Sequence, residues 1–245
     1  MISINNVTKR YDDKLAVDQL QLEIPRGEVF AFLGPNGAGK TTTIKMMVGL
    51  LIPDEGCIEI DGNNVVTDPR SAAARIGYIP DQPHLYDKLT GREFLEFMAG
   101  MYGASDAEAV PEIDRQIEVF DLTAFVDRLS ETYSHGMKQR LVLAAAMVHQ
   151  PQVLILDEPM VGLDPQSMRL VKDLLKERSA AGLTVFMSTH TLPLAEEIAD
   201  RIGVIRRGEL QFVGTVEELK RAQNRHEASL EGLFLDLTNE DASAV

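Results

Sequence analysis

Eight consecutive residues, Gly34-Pro35-Asn36-Gly37-Ala38-Gly39-Lys40-Thr41, carry the densest chemistry in the chain. They match G-x-x-x-x-G-K-[ST], the pattern of a phosphate-binding loop. Glycines let such a loop curl until its backbone N–H groups point inward at phosphate oxygens. Lys40 supplies a mobile cation for the outer phosphates, the Thr41 hydroxyl is placed to ligate Mg2+, and Thr42 offers a second hydroxyl. The pattern implies binding of a nucleoside triphosphate and leaves the use of its energy open.

A second group follows more than a hundred residues later. Val153-Leu154-Ile155-Leu156-Asp157-Glu158 is an apolar run ending in two carboxylates. A carboxylate at the tip of a strand beside a phosphate loop holds Mg2+, directly or through water. Asp157 suits that role. Glu158, one residue further, suits a general base or a residue that orients an attacking water.

These groups need elements to hold them. Val29–Leu33 is a short apolar run, as a buried strand is, and Thr42–Leu50 reads as a helix. That helix turns its positive dipole end toward the loop. Before the loop, Ile2–Val7 and Leu20–Ile24 read as strands about a polar turn at Asp12-Asp13-Lys14; after it come strands Cys57–Ile60, with a hairpin signal at Asp61-Gly62-Asn63, and Ile76–Ile79. From about Pro83 to Gln150 the pattern turns helical: Glu93–Met98 and Ile113–Phe120 place apolar residues at helical spacing, and Thr90-Gly91-Arg92-Glu93 has the form of a capping box. Val153–Leu156 then reads as a strand covered on both faces. Helix Ser167–Ala180, strand Thr184–Ser188, helix Leu194–Asp200 and a hairpin of Arg201–Ile205 with Glu209–Val213 follow. A helix is expected from Val216, a short docked one around Leu230, Leu233, Phe234 and Leu237, and fraying from Asn239. The expected class is α/β: a phosphate-loop NTPase core of mixed sheet and flanking helices.

With 245 residues the chain suits one large α/β domain, or a core with a small subdomain. Its net charge of −14 argues against sequence-independent nucleic-acid binding, which rests on Lys and Arg meeting phosphates. Cys57 is the single cysteine, so no intrachain disulfide is available; a reducing compartment and a small buried apolar role are expected of it. The first residues alternate as a strand does and lack a secretory pattern, and no stretch reaches the ~20 apolar residues of a membrane span.

Tyr133-Ser134-His135-Gly136-Met137-Lys138-Gln139-Arg140 resembles the signature sequence of the ATP-binding-cassette (ABC) ATPases. Met160-Val161-Gly162-Leu163-Asp164-Pro165 resembles the D-loop of that family, Ser188-Thr189-His190 its switch-histidine loop, and Tyr11 lies where its adenine-stacking aromatic stands. Order and spacing agree over roughly residues 2 to 215. The resemblance implies an antiparallel β part and a helical subdomain beside the core, with residues 1–222 as the ATPase domain, about 83–150 inserted in it, and 223–245 as a helical tail. It also implies a head-to-tail dimer that sandwiches two ATP molecules with Mg2+. Ser134, His135 and Gly136 would then face the γ-phosphate held by the opposite subunit, while His190 reaches the γ-phosphate and the attacking water of its own. His84, His149 and His226 have no such context.

Two positions depart from the family pattern. His135 stands where the signature usually has its first glycine. In the glutamine loop after Ile76-Gly77-Tyr78-Ile79-Pro80, Asp81 occupies the glutamine position by spacing and Gln82 comes one later; either side chain could meet Mg2+ or the attacking water. Leu85–Glu93 and the tail Ser229–Thr238 resemble ATPase subunits of bacterial drug, sodium, haem and polysaccharide exporters, which use a separate membrane permease. The expected function is therefore an ATP-hydrolysing subunit at the cytoplasmic face of the membrane. It would pair with an identical or a different ABC ATPase subunit, power a permease, and bind no nucleic acid. The alternative is a soluble ABC ATPase that moves no solute, such as an assembly factor.

Overall fold

A computed structural model of the chain describes residues 1–82, 85–160, 163–223 and 229–238. Its frame is a six-stranded sheet in the order β10-β9-β3-β8-β7-β6, formed by β3 (Val29–Leu33), β6 (Ile76–Ile79), β7 (Val153–Asp157), β8 (Thr184–Thr189), β9 (Arg201–Arg206) and β10 (Glu209–Gly214). β6, β7, β8, β3 and β9 run parallel; β10 returns antiparallel to β9. All five residues of β3 and of β7 are buried. The pleat explains this: Val29, Ala31 and Leu33 enter one core, while Phe30 and Phe32 enter the other. A strand covered on both faces has no polar side, so its sequence is continuously apolar.

A second, antiparallel sheet has the order β2-β1-β4-β5, with β1 (Ile2–Tyr11), β2 (Lys14–Ile24), β4 (Glu55–Ile60) and β5 (Asn63–Asn64). It corrects one expectation. Cys57 is half-buried rather than inside, because the period of two in β4 sends Ile58 and Ile60 into the core and turns Cys57 outward, with Asn5 Nδ2 4.0 Å from its sulfur.

The helical block comprises α3 (Gly91–Met101), α4 (Asp106–Val119) and α5 (His135–Met147), which pack on one another around Leu95, Phe120, Leu122 and Leu141. The Thr90–Glu93 capping box is formed. α4 starts at Asp106 rather than near Ile113, because Ser105 and Glu108 make a second capping box upstream. The block is fastened to the edge of the sheet: Tyr102 stacks on His149 with ring centroids 3.5 Å apart, and Nε2 of His149 lies 3.0 Å from the Ile76 carbonyl. Burial holds the His149 imidazole below its usual pKa.

α1 (Lys40–Met47) and α6 (Pro165–Ala180) begin two residues before their apolar pattern does, because Gly39 and Asp164 are the caps and Pro165 fits the first helical position. A short helix, α2 (Pro69–Ala73), capped by Asp68, has too few residues to show a period. α7 (Leu192–Ile198), α8 (Val216–Ala222) and α9 (Leu230–Thr238) close the chain, and α9 buries Leu230 and Leu233 in the main core. The expected fraying from Asn239 lies outside the described residues, as do His84 and His226. Among the described residues no helix is long and apolar enough to cross a membrane.

Candidate functional site

Parallel strands deliver their following loops to one end of the sheet, where ligand crevices form. Here β3, β8 and β7 lie side by side, with Leu33 level with Thr189 and Asp157 level with Ser188. Gly34, His190 and Glu158 therefore leave the sheet together. At this end opens a cavity of ≈ 330 Å³ lined by residues of the phosphate loop, by Tyr11, and by Asp81, Asp157 and Glu158.

The loop is built as its sequence requires. Gly39 has φ +114°, and a Cβ there would stand 2.6 Å from the Ala16 carbonyl; one on Gly34 would stand 2.5 Å from that of Ile205. Only glycine fits either place. Gly39 caps α1, so the first-turn N–H groups of Lys40, Thr41 and Thr42 have no acceptor within the helix; the earliest bond into it runs from Thr43 N to Gly39 O at 2.9 Å. Such N–H groups and the helix dipole make an anion site.

Lys40 is buried, at 8% exposure, and its ammonium folds back onto the carbonyls of Gly34 (2.6 Å) and Pro35 (3.2 Å). Burial lowers its pKa, and the nearby carboxylates of Glu158 and Asp157 oppose the shift. Those two contacts are weak acceptors for a cation, so phosphate oxygens entering the cavity would be stronger partners.

Asp157 is buried and accepts a hydrogen bond from the Ser188 hydroxyl at 2.5 Å. Ser188 holds the next residue too: the Glu158 N–H donates to its Oγ and its carbonyl, both at 3.2 Å. Glu158 has φ +53°, a left-handed conformation that costs a non-glycine residue on the order of 1–3 kcal/mol. This backbone turns its carboxylate toward His190, whose Nδ1 lies 2.9 Å from Oε1, while the His190 N–H reaches Oε2 at 3.4 Å. Tyr78, near Asp157 and Asp81, has its phenol pushed up to about 12 by burial first and then by those carboxylates.

Of the residues singled out in the sequence, Tyr11, Asn36, Gly37, Gly39, Lys40, Thr41, Thr42, Asp81, Asp157 and Glu158 line this cavity. Tyr11 is 44% exposed, not a buried strand-end residue. Gly34, Pro35, Ala38 and His190 are not among the lining residues. Gln82, next to Asp81, is not among the lining residues. Ser134, His135 and Gly136 do not line it either. They form the start of α5, with Ser134 and His135 exposed and Gly136 half-buried, where the Ser134 hydroxyl caps the helix by accepting from Met137 N at 3.3 Å. A Cβ on Gly136 would stand 3.2 Å from Oδ2 of Asp164, itself the cap of α6, so this helix start lies beside the Asp164 turn. Val161 and Gly162 of that turn lie outside the described residues.

Sequence reasoning passed over Lys14 and Ala16, which line the cavity from β2 across the turn from Tyr11. The hairpin register was the available signal. It also gave Ser188 no role of its own, although the pairing of β7 with β8 puts its hydroxyl on Asp157.

A family model described as "ABC transporter" matches residues 17–161. The linearmycin resistance ATP-binding protein LnrL of Bacillus subtilis is 38% identical over 219 residues, which are 89% of this chain and 70% of the relative. A solved structure of an ATP-binding subunit of an ABC transporter superposes with a TM-score of 0.91 at 32% identity, covering 98% of this chain and all of the other. The ATP-binding cassette MJ0796, in a dimeric post-hydrolysis state bound to ADP and Pi, gives a TM-score of 0.79 at 26% identity, covering 88% and 99%.

Proposed function

The chain belongs to the ABC transporter family as one of its ATP-binding, ATP-hydrolysing subunits, and from that premise we propose that two such subunits close on ATP at the cytoplasmic face of a membrane permease and drive export through it. The observation that carries the reading is the division of the site. One cavity holds the phosphate loop, Asp157 and Glu158, while the start of α5, capped by Ser134, stands apart from it. A second subunit, turned head to tail, would supply its own α5 to this cavity, and the dimeric cassette bound to ADP and Pi supports that arrangement. In the closed pair Ser134, His135 and Gly136 would face the other subunit's γ-phosphate.

The residues then divide the work. Phosphate-loop N–H groups and Lys40 hold the phosphates, and Tyr11 stacks on adenine. Glu158 takes a proton from the attacking water, and His190, fixed on Glu158, meets the γ-phosphate. The oxygen donors of the cavity suit Mg2+, a hard cation that accepts a few protein oxygens and keeps phosphates and water for the rest. Thr41, Asp157 and Asp81 would hold it there, with Asp81 favoured over Gln82 by its position on the cavity wall. Bound Mg2+ would neutralise charge developing on the phosphates. We assign residues 1–222 to the ATPase domain, with about 83–150 as its helical insertion, and 223–245 to the tail.

The insertion offers a place for the permease. An apolar cleft of ≈ 380 Å³ lies between β6, α3 and α5, with Tyr86, Phe94, Phe97 and Met98 in its wall. Tyr86 is 58% exposed and Phe97 42%. Exposed aromatic clusters of this kind mark protein contacts. Affinity capture of the tagged protein from detergent-solubilised membranes tests the reading: a stoichiometric polytopic membrane protein is expected. Phe97→Glu should release that protein and leave ATP binding unchanged. Capture of a soluble partner alone, with ATPase activity intact, would favour the non-transport ABC ATPase.

His135 gives a second test. Replacing it with glycine is expected to alter the ATP concentration at which dimers form, measured by sedimentation. Superimposable curves, with equal turnover, would remove position 135 from the composite site.

A further inference from the structure

The end of the six-stranded sheet opposite the phosphate loop carries a separate cleft of ≈ 360 Å³. Its wall includes Arg26 from the β2–β3 turn, Arg115 from α4, Gln152 ahead of β7 and Arg178 from the last turn of α6. We infer that this cleft binds a small oxyanion of the phosphate class carrying at least two negative charges. This goes beyond the ATPase reading and does not depend on it.

Charge and unused donors mark this cleft. Arg26 pairs with Asp61 through Nη2 at 3.0 Å and donates Nη1 to the Gln152 side-chain carbonyl at 3.0 Å. Arg75 reaches the other Asp61 oxygen at 3.9 Å. Arg115 holds Glu112 through Nε at 2.9 Å and Nη2 at 2.5 Å. Arg178, half-buried, has no ion-pair or side-chain hydrogen-bond partner among the described residues. Three guanidinium groups thus line the cleft, two of them paired with one carboxylate each (Asp61 and Glu112) and the third unpaired, in a chain whose net charge is −14.

The end of α6 makes no demand on Arg178. The carbonyls of Glu177, Arg178 and Ser179 already accept from the N–H groups of Ala181, Leu183 and Gly182. The guanidinium is left to the cleft. Free donors remain on Arg26 (Nε), on Arg115 (Nη1), on the Gln152 amide and on all of Arg178. Planar forks of this kind match phosphate oxygens. The donors come from the sheet, from the helical insertion and from α6, so a bound anion would tie these three parts together. The four-residue advance from Val153 to Asp157 along β7 puts the cleft about 13 Å from the carboxylates of the nucleotide cavity, so the two sites do not overlap.

Pyrophosphate is the probe, titrated calorimetrically at low ionic strength into protein saturated with ADP. One saturable binding event is expected, retained in Lys40→Ala and weakened at least about tenfold in Arg178→Ala and in the exposed variant Arg26→Ala, with ADP affinity unchanged in both arginine variants. Absence of a saturable event would overturn the inference. So would an event undiminished by both arginine changes, or one abolished by Lys40→Ala, which would assign the probe to the phosphate loop.

Discussion

Glu158→Gln is expected to leave ATP affinity within about twofold of wild type, to slow hydrolysis by about 10²- to 10⁴-fold, and to trap a dimer that persists while ATP is present. The amide keeps the size of the carboxylate and its reach to His190 Nδ1, 2.9 Å from Oε1. It cannot take a proton from water. The groups proposed to bind phosphate, the loop N–H groups and Lys40, are not touched by this change. The left-handed backbone at φ +53° is held by the Ser188 contacts to the Glu158 N–H, and these also survive. ATP binding by calorimetry, phosphate release under single turnover, and size-exclusion with and without ATP check the three parts. Hydrolysis at the wild-type rate would remove Glu158 from catalysis. Lost ATP binding would mean that the residue holds the nucleotide instead.

That experiment isolates Glu158 because Asp157 and Glu158, though adjacent, are held differently. Asp157 ends β7, is 2% exposed, and is bonded by the Ser188 hydroxyl. Glu158 has left the strand and faces the cavity and His190. The sequence shows only two carboxylates after an apolar run. The separate duties proposed for them depend on where the strand ends and on a backbone conformation that composition does not announce.

The same contrast explains what was legible elsewhere. The extents of β3 and β6 follow directly from apolar runs bounded by turn residues, and the phosphate loop follows from its glycines and lysine. Local rules suffice there. The outward turn of Cys57 and the place of Lys14 and Ala16 in the cavity depend on the phase of a strand and the register of a hairpin, and the place of Asp81 rather than Gln82 on the cavity wall follows β6, which pairs with the distant β7. A shift of one residue in register reverses each of them. α4 shows a third case, in which an apolar period marks the packed half of a helix and the capping residues Ser105 and Glu108 mark where it starts.

Lys40→Ala separates binding from folding. With nucleotide, the ammonium would exchange the Gly34 and Pro35 carbonyls for phosphate oxygens. Hydrogen bonds to a charged partner are worth about 1.5–3 kcal/mol, so affinity for ATP should fall by about one to two orders of magnitude. Without nucleotide the balance differs. Burial lowers the Lys40 pKa, which means that the fold disfavours the ammonium relative to the unfolded chain. For a lysine with a lowered folded pKa, that penalty is fully present below the folded pKa and is relieved as pH rises through the ordinary lysine range. Alanine removes the penalty, and the thermal midpoint of the free protein is expected to stay level or rise slightly. Nucleotide at a hundredfold its wild-type Kd stabilises by about 2.7 kcal/mol. A thirtyfold weaker site retains about 0.9 kcal/mol under the same conditions by the same relation. The nucleotide-induced rise in midpoint should therefore shrink to about a third while the starting midpoint holds. A variant that melts early without nucleotide would make Lys40 a structural residue, and an undiminished rise with nucleotide would take it out of the phosphate site.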